Sequence, residues 1–506
     1  MSTPLGIKLD PRAEEPLYRQ LFDQIVARIQ SGTFPPRYRL PPTRALARDI
    51  DTHRNTVVRA YQDLESAGFV VSSVGRGTFV ADPPSPGAER AAPIQRAGAL
   101  PWASLASRAL QAEPLSRGER LGVGARRPDT ITLSAMHPSP DLLPAELFRR
   151  CLEHALRTQR GKALGYAPRE GIAPLRGLVA EDLVRQGIPA SAEDVVITTG
   201  SQQALDLVVR ALVNPGDPVL VNETTYHGAL SLLSLGGARI IGVPNDEEGP
   251  DLAAIERFGR AGVKLLYLMP NCQNPIGCRI SQERREALVA WSHAAGVPLV
   301  EDDYASDLDL DGAPPLSPLR SLDGEVIYFG TYSKKLIPAL RIGYLVCPRA
   351  LRTAICQMKQ AMDLGTSALL QHALAEFLAR GYLARHLGAV RSEYRRRRDA
   401  LEEALGRHLP RGVRWKRPET GVALWIPAPP GLDVAALYAE AQRLGVVFSP
   451  STLYEVGGAQ RHGLRLTFCA EPAERLVEGA RRLGRAWAAV ERRGRSAAPV
   501  SQLEVV

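Results

Sequence analysis

The sequence predicts a multi-domain chain: a small N-terminal helical unit closed by a β-hairpin, then a larger α/β unit on a mainly parallel sheet, ending in a small C-terminal α+β subdomain. Three observations carry this expectation. At 506 residues the chain exceeds what one hydrophobic core organises. The first 80 residues read as three short helices and two short strands, whereas from Ile131 onward short apolar strands alternate with helical stretches. Between them, residues 82–130 are rich in Pro, Ala, Gly and Arg, the composition of a linker.

In the N-terminal unit, Leu17, Leu21, Ile25 and Ile29 recur every four residues, which predicts an amphipathic helix ending near Ser31-Gly32. Pro42 suits a first helical turn, and a second helix runs through Thr43–Ile50 to a break at Asp51-Thr52. From about His53 a third helix places Val57, Ala60, Tyr61 and Leu64 on one face and Asn55, Arg59, Gln62 and Ser66 on the other; Gly68 closes it. Phe69–Val71 and Thr78–Val80 flank Gly75-Arg76-Gly77, so a hairpin can carry Arg76 to a phosphate or a minor groove. A helix with an apolar back and an Asn/Arg/Gln front, behind a short helix and a tight turn, is built to lay its polar face in the major groove of DNA. Arg54, Asn55 and Arg59 are the candidates for contact there.

Leu40-Pro-Pro-Thr-Arg44, Arg54-Asn-Thr-Val57 and Gly75-Arg-Gly-Thr-Phe-Val80 together resemble the GntR-type winged helix-turn-helix. The resemblance implies a DNA-binding domain over 10–81, with Arg44, Arg54 and the wing residues Arg76 and Gly77 toward DNA; Asn55, Thr56 and Arg59 of the third helix complete the expected DNA face. One departure stands out. The usual Gly-Val-Ser before Arg-Asn-Thr is Asp51-Thr52-His53 here, so a His replaces the Ser cap.

Composition narrows the setting. The net charge of +9 suits an anionic partner, and residues 1–80 hold eleven Lys/Arg against eight Asp/Glu, a third of the excess in under a sixth of the chain. Cys151, Cys272, Cys278, Cys347, Cys356 and Cys469 form no C-x-x-C pair, which argues against zinc or a disulfide framework and for a reducing compartment. The N-terminus lacks a charged-then-apolar signal and no apolar run approaches membrane length, so a cytoplasmic location is expected. Residues 491–506 read as a disordered tail, and Arg395–Arg398 as a solvated helix face.

In the α/β unit, strands are predicted at Val195–Ile197, Val219–Val221, Ile240–Val243, Leu265–Leu268, Leu299–Val300, Val326–Phe329 and Tyr344–Val346. Ligands of such a sheet gather at the carboxyl ends of its strands. Thr198-Thr-Gly200-Ser201 follows the first of them and opens the helix Gln202–Leu212, so N–H groups at Ser201 and Gln202 can hold a phosphate. Tyr226 can stack on an aromatic ring, and Asn274 in Asn274-Pro-Ile-Gly277 can donate to a phenolic oxygen with help from Tyr304. Asp302, facing a ring nitrogen, would keep it protonated. Glu301 and Asp303 are its rivals, and strand alternation, which puts them on the other side, favours Asp302. Lys334 lies in Thr331-Tyr-Ser-Lys-Lys-Leu-Ile-Pro-Ala-Leu-Arg341; a lysine must be neutral to form an imine, and a cationic ring and Arg341 nearby lower its pKa. Lys335 competes for this role, and alternation lets only one of the two face the pocket. Thr331 and Ser333 offer hydroxyls to the phosphate, with Arg341 as its counter-charge. In this order the residues form the working set of a pyridoxal-phosphate pocket.

The set resembles the fold-type I aminotransferases of class I. The resemblance implies a domain over 131–490, pyridoxal 5'-phosphate as cofactor, and Arg465 in Gly463-Leu-Arg-Leu-Thr467 as the group that binds a substrate or effector carboxylate. It also implies that Tyr166 in Gly165-Tyr-Ala-Pro-Arg-Glu-Gly171 reaches the partner subunit's cofactor phosphate, hence a homodimer with shared sites. Together the two resemblances point to the MocR subfamily of GntR-type transcriptional regulators, in which the cofactor domain senses pyridoxal phosphate or an amino compound and alters how a dimer holds double-stranded DNA. The alternative is a metabolic aminotransferase carrying a degenerate winged helix. The intact polar face of Asn55, Arg59 and Gln62 argues against it and leaves room for at most a slow transamination half-reaction.

Overall fold

The computed structural model describes residues 6–7, 9–11, 15–73, 77–81, 102–111, 129–259, 262–457 and 462–497. The chain divides into two units, Met1–Leu105 and Ala106–Val506.

In the first unit, α1 (Leu17–Gln30), α2 (Thr43–Asp49) and α3 (Arg54–Ser66) close around one apolar core. Val57, Ala60, Tyr61 and Leu64 of α3 are buried in it, the face their spacing predicts. His53 precedes α3 and its side chain makes no cap bond. β1 (Val70–Ser73) and β2 (Gly77–Val80) form the antiparallel wing. A turn at Arg37 and a bridge of Arg39 to Phe79 add a further edge that the sequence reading missed: Arg37 N donates to Val80 O and Leu40 N to Thr78 O, each at 2.9 Å. Backbone groups that would otherwise be buried without partners are satisfied this way.

The second unit is organised by a seven-stranded sheet. After β3 (Ile131–Thr132) come β4 (Val195–Thr198), β5 (Pro218–Asn222), β6 (Arg239–Val243), β7 (Leu265–Leu268), β8 (Leu299–Asp303), β9 (Ile327–Thr331) and β10 (Gly343–Val346). Their spatial order is β4-β10-β9-β8-β7-β5-β6, and β10 alone runs antiparallel to its neighbours. Every residue of β4, β5, β7, β8, β9 and β10 is buried. A sheet covered on both faces reads as continuous apolar runs rather than alternation, which makes the acidic end of β8 conspicuous. The C-terminal subdomain carries β11 (Ala423–Pro427), β13 (Ser449–Pro450) and β14 (Gly463–Thr467) in the order β11-β14-β13, while β12 (Val446–Val447) pairs in parallel with β3.

Two expectations are corrected here. Arg397 and Arg398 are at most 1% exposed. Arg397 is paired with Asp141 and Glu393, and Arg398 with Asp311 and Asp399, so this run is only partly a solvated face. The last helix, Ala473–Ala497, continues through residues assigned to the tail. Trp487 anchors that turn by donating to Glu491 at 3.0 Å, and Arg493 reaches Glu440 at 3.3 Å; an Arg-rich sequence hid these contacts. Residues 498–506 lie outside the described residues.

Candidate cofactor site and DNA face

At the carboxyl ends of β5, β7 and β8 lies a cavity of about 240 Å³ lined by Ser134, Met136, Ser201, Tyr226, His227, Met269, Asn274, Asp302, Tyr304, Lys334 and Arg465. The pleat of β8 decides which acid enters it. Glu301 turns away to accept from Leu319 N (3.1 Å) and Arg320 N (2.9 Å), and Asp303 accepts from Tyr328 Oη (2.7 Å) and Ser306 N (3.1 Å). Asp302 faces the cavity. Tyr267 Oη donates to its Oδ2 at 2.7 Å, while Oδ1 is buried without a partner. Burial, helped by the Asp303 charge, pushes the Asp302 carboxyl up to about 7 against the Tyr267 bond.

The lysines divide too, but in a turn beyond β9 (Ile327–Thr331), not by the strand alternation expected of them. Lys335 is buried in an ion pair with Asp307 and lies 4.9 Å from the Tyr332 ring centroid. Lys334 lines the cavity, where burial, with Arg465 and Arg341 adding to it, holds its pKa below the ordinary lysine value.

Beside Lys334, the turn before the helix Gly200–Leu212 meets Arg341. Gly200 has φ +79°, and a Cβ there would stand 2.8 Å from Arg341 Nη2. Only a glycine admits the guanidinium so close. Arg341 Nη1 donates to Ser333 Oγ at 3.4 Å. Thr331 stands one step behind, its hydroxyl 3.2 Å from Ser333 Oγ and bonded to Ser333 N. The Gln202 side chain fixes Tyr226, whose hydroxyl donates to Gln202 Oε1 at 3.2 Å.

Arg465 closes the opposite side. Its Nη1 donates to Asn274 Oδ1 (2.9 Å) and Met136 Sδ (2.8 Å), its Nη2 to Ser134 O (2.7 Å) and Ser449 Oγ (3.0 Å), and its Nε is buried without a partner. All four bonds go to neutral groups. Asn274 thereby keeps its amide nitrogen for another acceptor. Tyr304 Oη donates to Cys272 Sγ at 3.3 Å, a contact the sequence reading did not anticipate. Tyr166 does not line the cavity and is 85% exposed.

His227, Ser134, Met136 and Met269 were missed. His227 follows Tyr226 directly, meets it edge-on at 5.1 Å and lines the cavity from its exposed side. Its adjacency to Tyr226 was the available signal. Ser134 and Met136 come from a stretch with no motif of its own.

On the first unit, Arg44, Arg54, Asn55 and Arg59 are exposed and Thr56 is half-buried. Arg59 lies over the Tyr18 ring at 3.9 Å, so its planar head is already held in place. Gly77 begins β2 with φ +110°, and a Cβ there would lie 3.1 Å from Arg39 Nε. Exposed Arg39 thus stands beside the wing, a basic group the sequence reading passed over. Arg76 lies outside the described residues.

Fold and cavity define a pyridoxal-phosphate-dependent domain of the fold-type I aminotransferase kind, in a chain that begins with a winged helix. Residues 137–483 match the family model for aminotransferase class I and II, and residues 17–80 that for bacterial regulatory proteins of the gntR family. The chain belongs to the class I and II aminotransferase family and, by the two domains together, to its MocR-like branch of GntR regulators. It is 32% identical to the probable rhizopine catabolism regulatory protein MocR of Rhizobium meliloti, across 96% of this chain and 97% of that one. It is 38% identical to the 2-aminoadipate transaminase of Thermus thermophilus, across 74% of this chain and 98% of the relative. The crystal structure of LysN, the alpha-aminoadipate aminotransferase of Thermus thermophilus complexed with N-(5'-phosphopyridoxyl)-L-leucine, superposes with a TM-score of 0.71 at 35% identity, covering 78% of this chain and all of that one.

Proposed function

We propose that this protein is a DNA-binding transcriptional regulator whose second unit takes up pyridoxal phosphate or an amino compound at Lys334 and thereby changes the hold of a dimer on its operator. The observation that carries the reading is the cavity itself. It holds a lysine with a depressed pKa, an acid with one unpartnered oxygen, and an arginine bonded only to neutral groups. These groups suit pyridoxal phosphate. Asp302 Oδ1 would take the ring N–H, Tyr226 the ring face, Asn274 and Tyr304 the phenolic oxygen, and Ser201, Gln202, Ser333 and Arg341 the phosphate. When bound, the cofactor supplies a carbonyl for amines and a ring that accepts electron density. Arg465 would receive the carboxylate of an amino compound, releasing the cost of a buried cation without an anion.

The dimer rests on a patch around the Tyr166 loop. Leu164, Tyr166, Met362 and Leu364 are 71%, 85%, 42% and 57% exposed, and Gly365 packs on Ala167 O, bringing the two segments together. Clustered exposed apolar side chains mark an association surface. Arg44, Arg54, Asn55, Thr56, Arg59 and the wing at Arg76-Gly77 form the operator face. Among the described residues no helix is long and apolar enough to cross a membrane, and the reading places the protein in the cytoplasm.

Protection of DNA upstream of the protein's own gene, changed by pyridoxal phosphate, is the expected result. The completeness of the cavity also favours a second reading, a metabolic aminotransferase. Rapid multiple turnover with a common amino donor and 2-oxo acid, beside DNA binding indifferent to cofactor, would support that reading instead.

A further inference from the structure

Behind the phosphate turn lies a polar cluster, none of which lines the cavity. The helix Arg349–Asp363 ends on Asp363, whose carboxylate accepts from Lys359 Nζ (3.0 Å to each oxygen), Gln203 Nε2 (2.8 Å), Thr199 Oγ1 (3.1 Å) and Gly365 N (2.9 Å). Gln203 returns the contact to the turn by accepting from Thr199 N at 2.8 Å. Burial opposes ionisation of Asp363, but the bonds from Gln203, Lys359 and Gly365 outweigh it and hold the carboxyl below its ordinary value.

Thr199 occupies the N-cap of the helix Gly200–Leu212, yet its side chain makes no cap bond. A threonine there ordinarily bonds the second or third N–H of the helix. Here the hydroxyl is drawn to Asp363 instead, which leaves the first N–H groups for another acceptor. Lys359, fully buried, offsets the carboxylate charge that would otherwise repel an anion at this helix end.

We propose that Asp363 is a positioning residue for the cofactor phosphate: through Thr199 and Gln203 it fixes the turn and keeps the N–H groups of Ser201 and Gln202 free to bind. This rests on the cofactor reading above. The test compares two aldehydes that differ by the phosphate alone. Pyridoxal phosphate and pyridoxal are titrated into cofactor-free full-length protein and followed by absorbance, in the wild type, in Asp363→Asn, and in Thr199→Val/Gln203→Met. The double variant leaves the Lys359–Asp363 pair in place and serves if Asp363→Asn does not fold. Affinity for pyridoxal phosphate is expected to fall at least tenfold in the variants, with pyridoxal affinity within twofold of wild type, and inorganic phosphate should compete less well. Equal losses for the two aldehydes, or no loss for either, would overturn the proposal. Wild-type protein that takes up neither would overturn the cofactor reading and this proposal with it.

Discussion

The two regions that carry chemistry are built in opposite ways. Around Lys334 and Asp302 the side chains of Asp302, Asn274 and Arg465 are buried and those of Tyr226 and Tyr304 half-buried, each held by a named partner, so the geometry is set before any ligand arrives. On α3, Arg54 and Asn55 stand in water. The difference teaches where each site gets its precision. A buried site obtains it from its own packing and pays for any unpaired group, whereas an exposed basic face obtains it from the nucleic acid it meets.

Breaking the buried side should therefore give the largest effects. Borohydride reduction should label Lys334, and Lys334→Ala should abolish the label and the yellow colour while leaving the fold intact. Lys335→Ala should keep the label but lose on the order of 3 kcal/mol of stability in denaturant unfolding, because the half-buried Asp307 loses the partner of a pair whose lysine is buried. Label on Lys335 would mean that the lysines are exchanged.

Asp302→Asn should alter cofactor absorbance and amine reactivity far more than Asp303→Asn, since Asp303 is spent on Tyr328 and Ser306. A pH test sharpens this. In cofactor-free protein the Asp302 carboxyl is raised from its ordinary 3.8 to about 7, so the unfolded chain gives up this proton first. Its contribution to stability is full below pH ~4 and is lost as pH rises through about 7. Asp302→Asn should flatten the fall in Tm over that window. Some slope should remain, because burial and the Asp303 charge push Glu301 up to about 8.

On the exposed side, Arg54→Ala or Asn55→Ala should cost about 1–3 kcal/mol of operator affinity if a base contact is lost. Arg44→Ala should weaken all sequences alike and flatten the salt slope by about one unit if a phosphate contact is lost. Neither should move Tm appreciably. Arg59→Ala should in addition cost the fold about 0.5–1 kcal/mol from its stacking on Tyr18. Operator affinity unchanged by Arg59→Ala at several salt concentrations would remove it from the DNA face.

What the sequence made legible follows from the same contrast. Period-two reasoning placed Asp302 in the cavity ahead of its neighbours, and helical spacing found the buried face of α3, because these patterns are local; Lys334 and Lys335 part in a turn beyond β9, where no strand alternation operates. The Tyr304–Cys272 contact, the Asn274–Arg465 bond and the Asp363 cluster join residues 32, 191 and 164 positions apart, with no local pattern to announce them. Arg39 escaped because an arginine beside a Leu-Pro motif has no period to reveal it. The buried Arg397 and Arg398 were misread because a run of charge usually signals solvent, and their acidic partners at 141 and 311 are remote in sequence.

The central claim is that cofactor chemistry at Lys334 and DNA binding belong to one device. A ligand shifts such a device only if it binds the DNA-competent and incompetent forms unequally, and a tenfold change in operator affinity needs about 1.4 kcal/mol of that difference. The direct measurement is operator affinity of the full-length protein, titrated with pyridoxal phosphate and then with amines, in the wild type and in Lys334→Ala. A change of tenfold or more in the wild type that disappears in Lys334→Ala is the predicted result; affinity unmoved by cofactor and amines in both would contradict it.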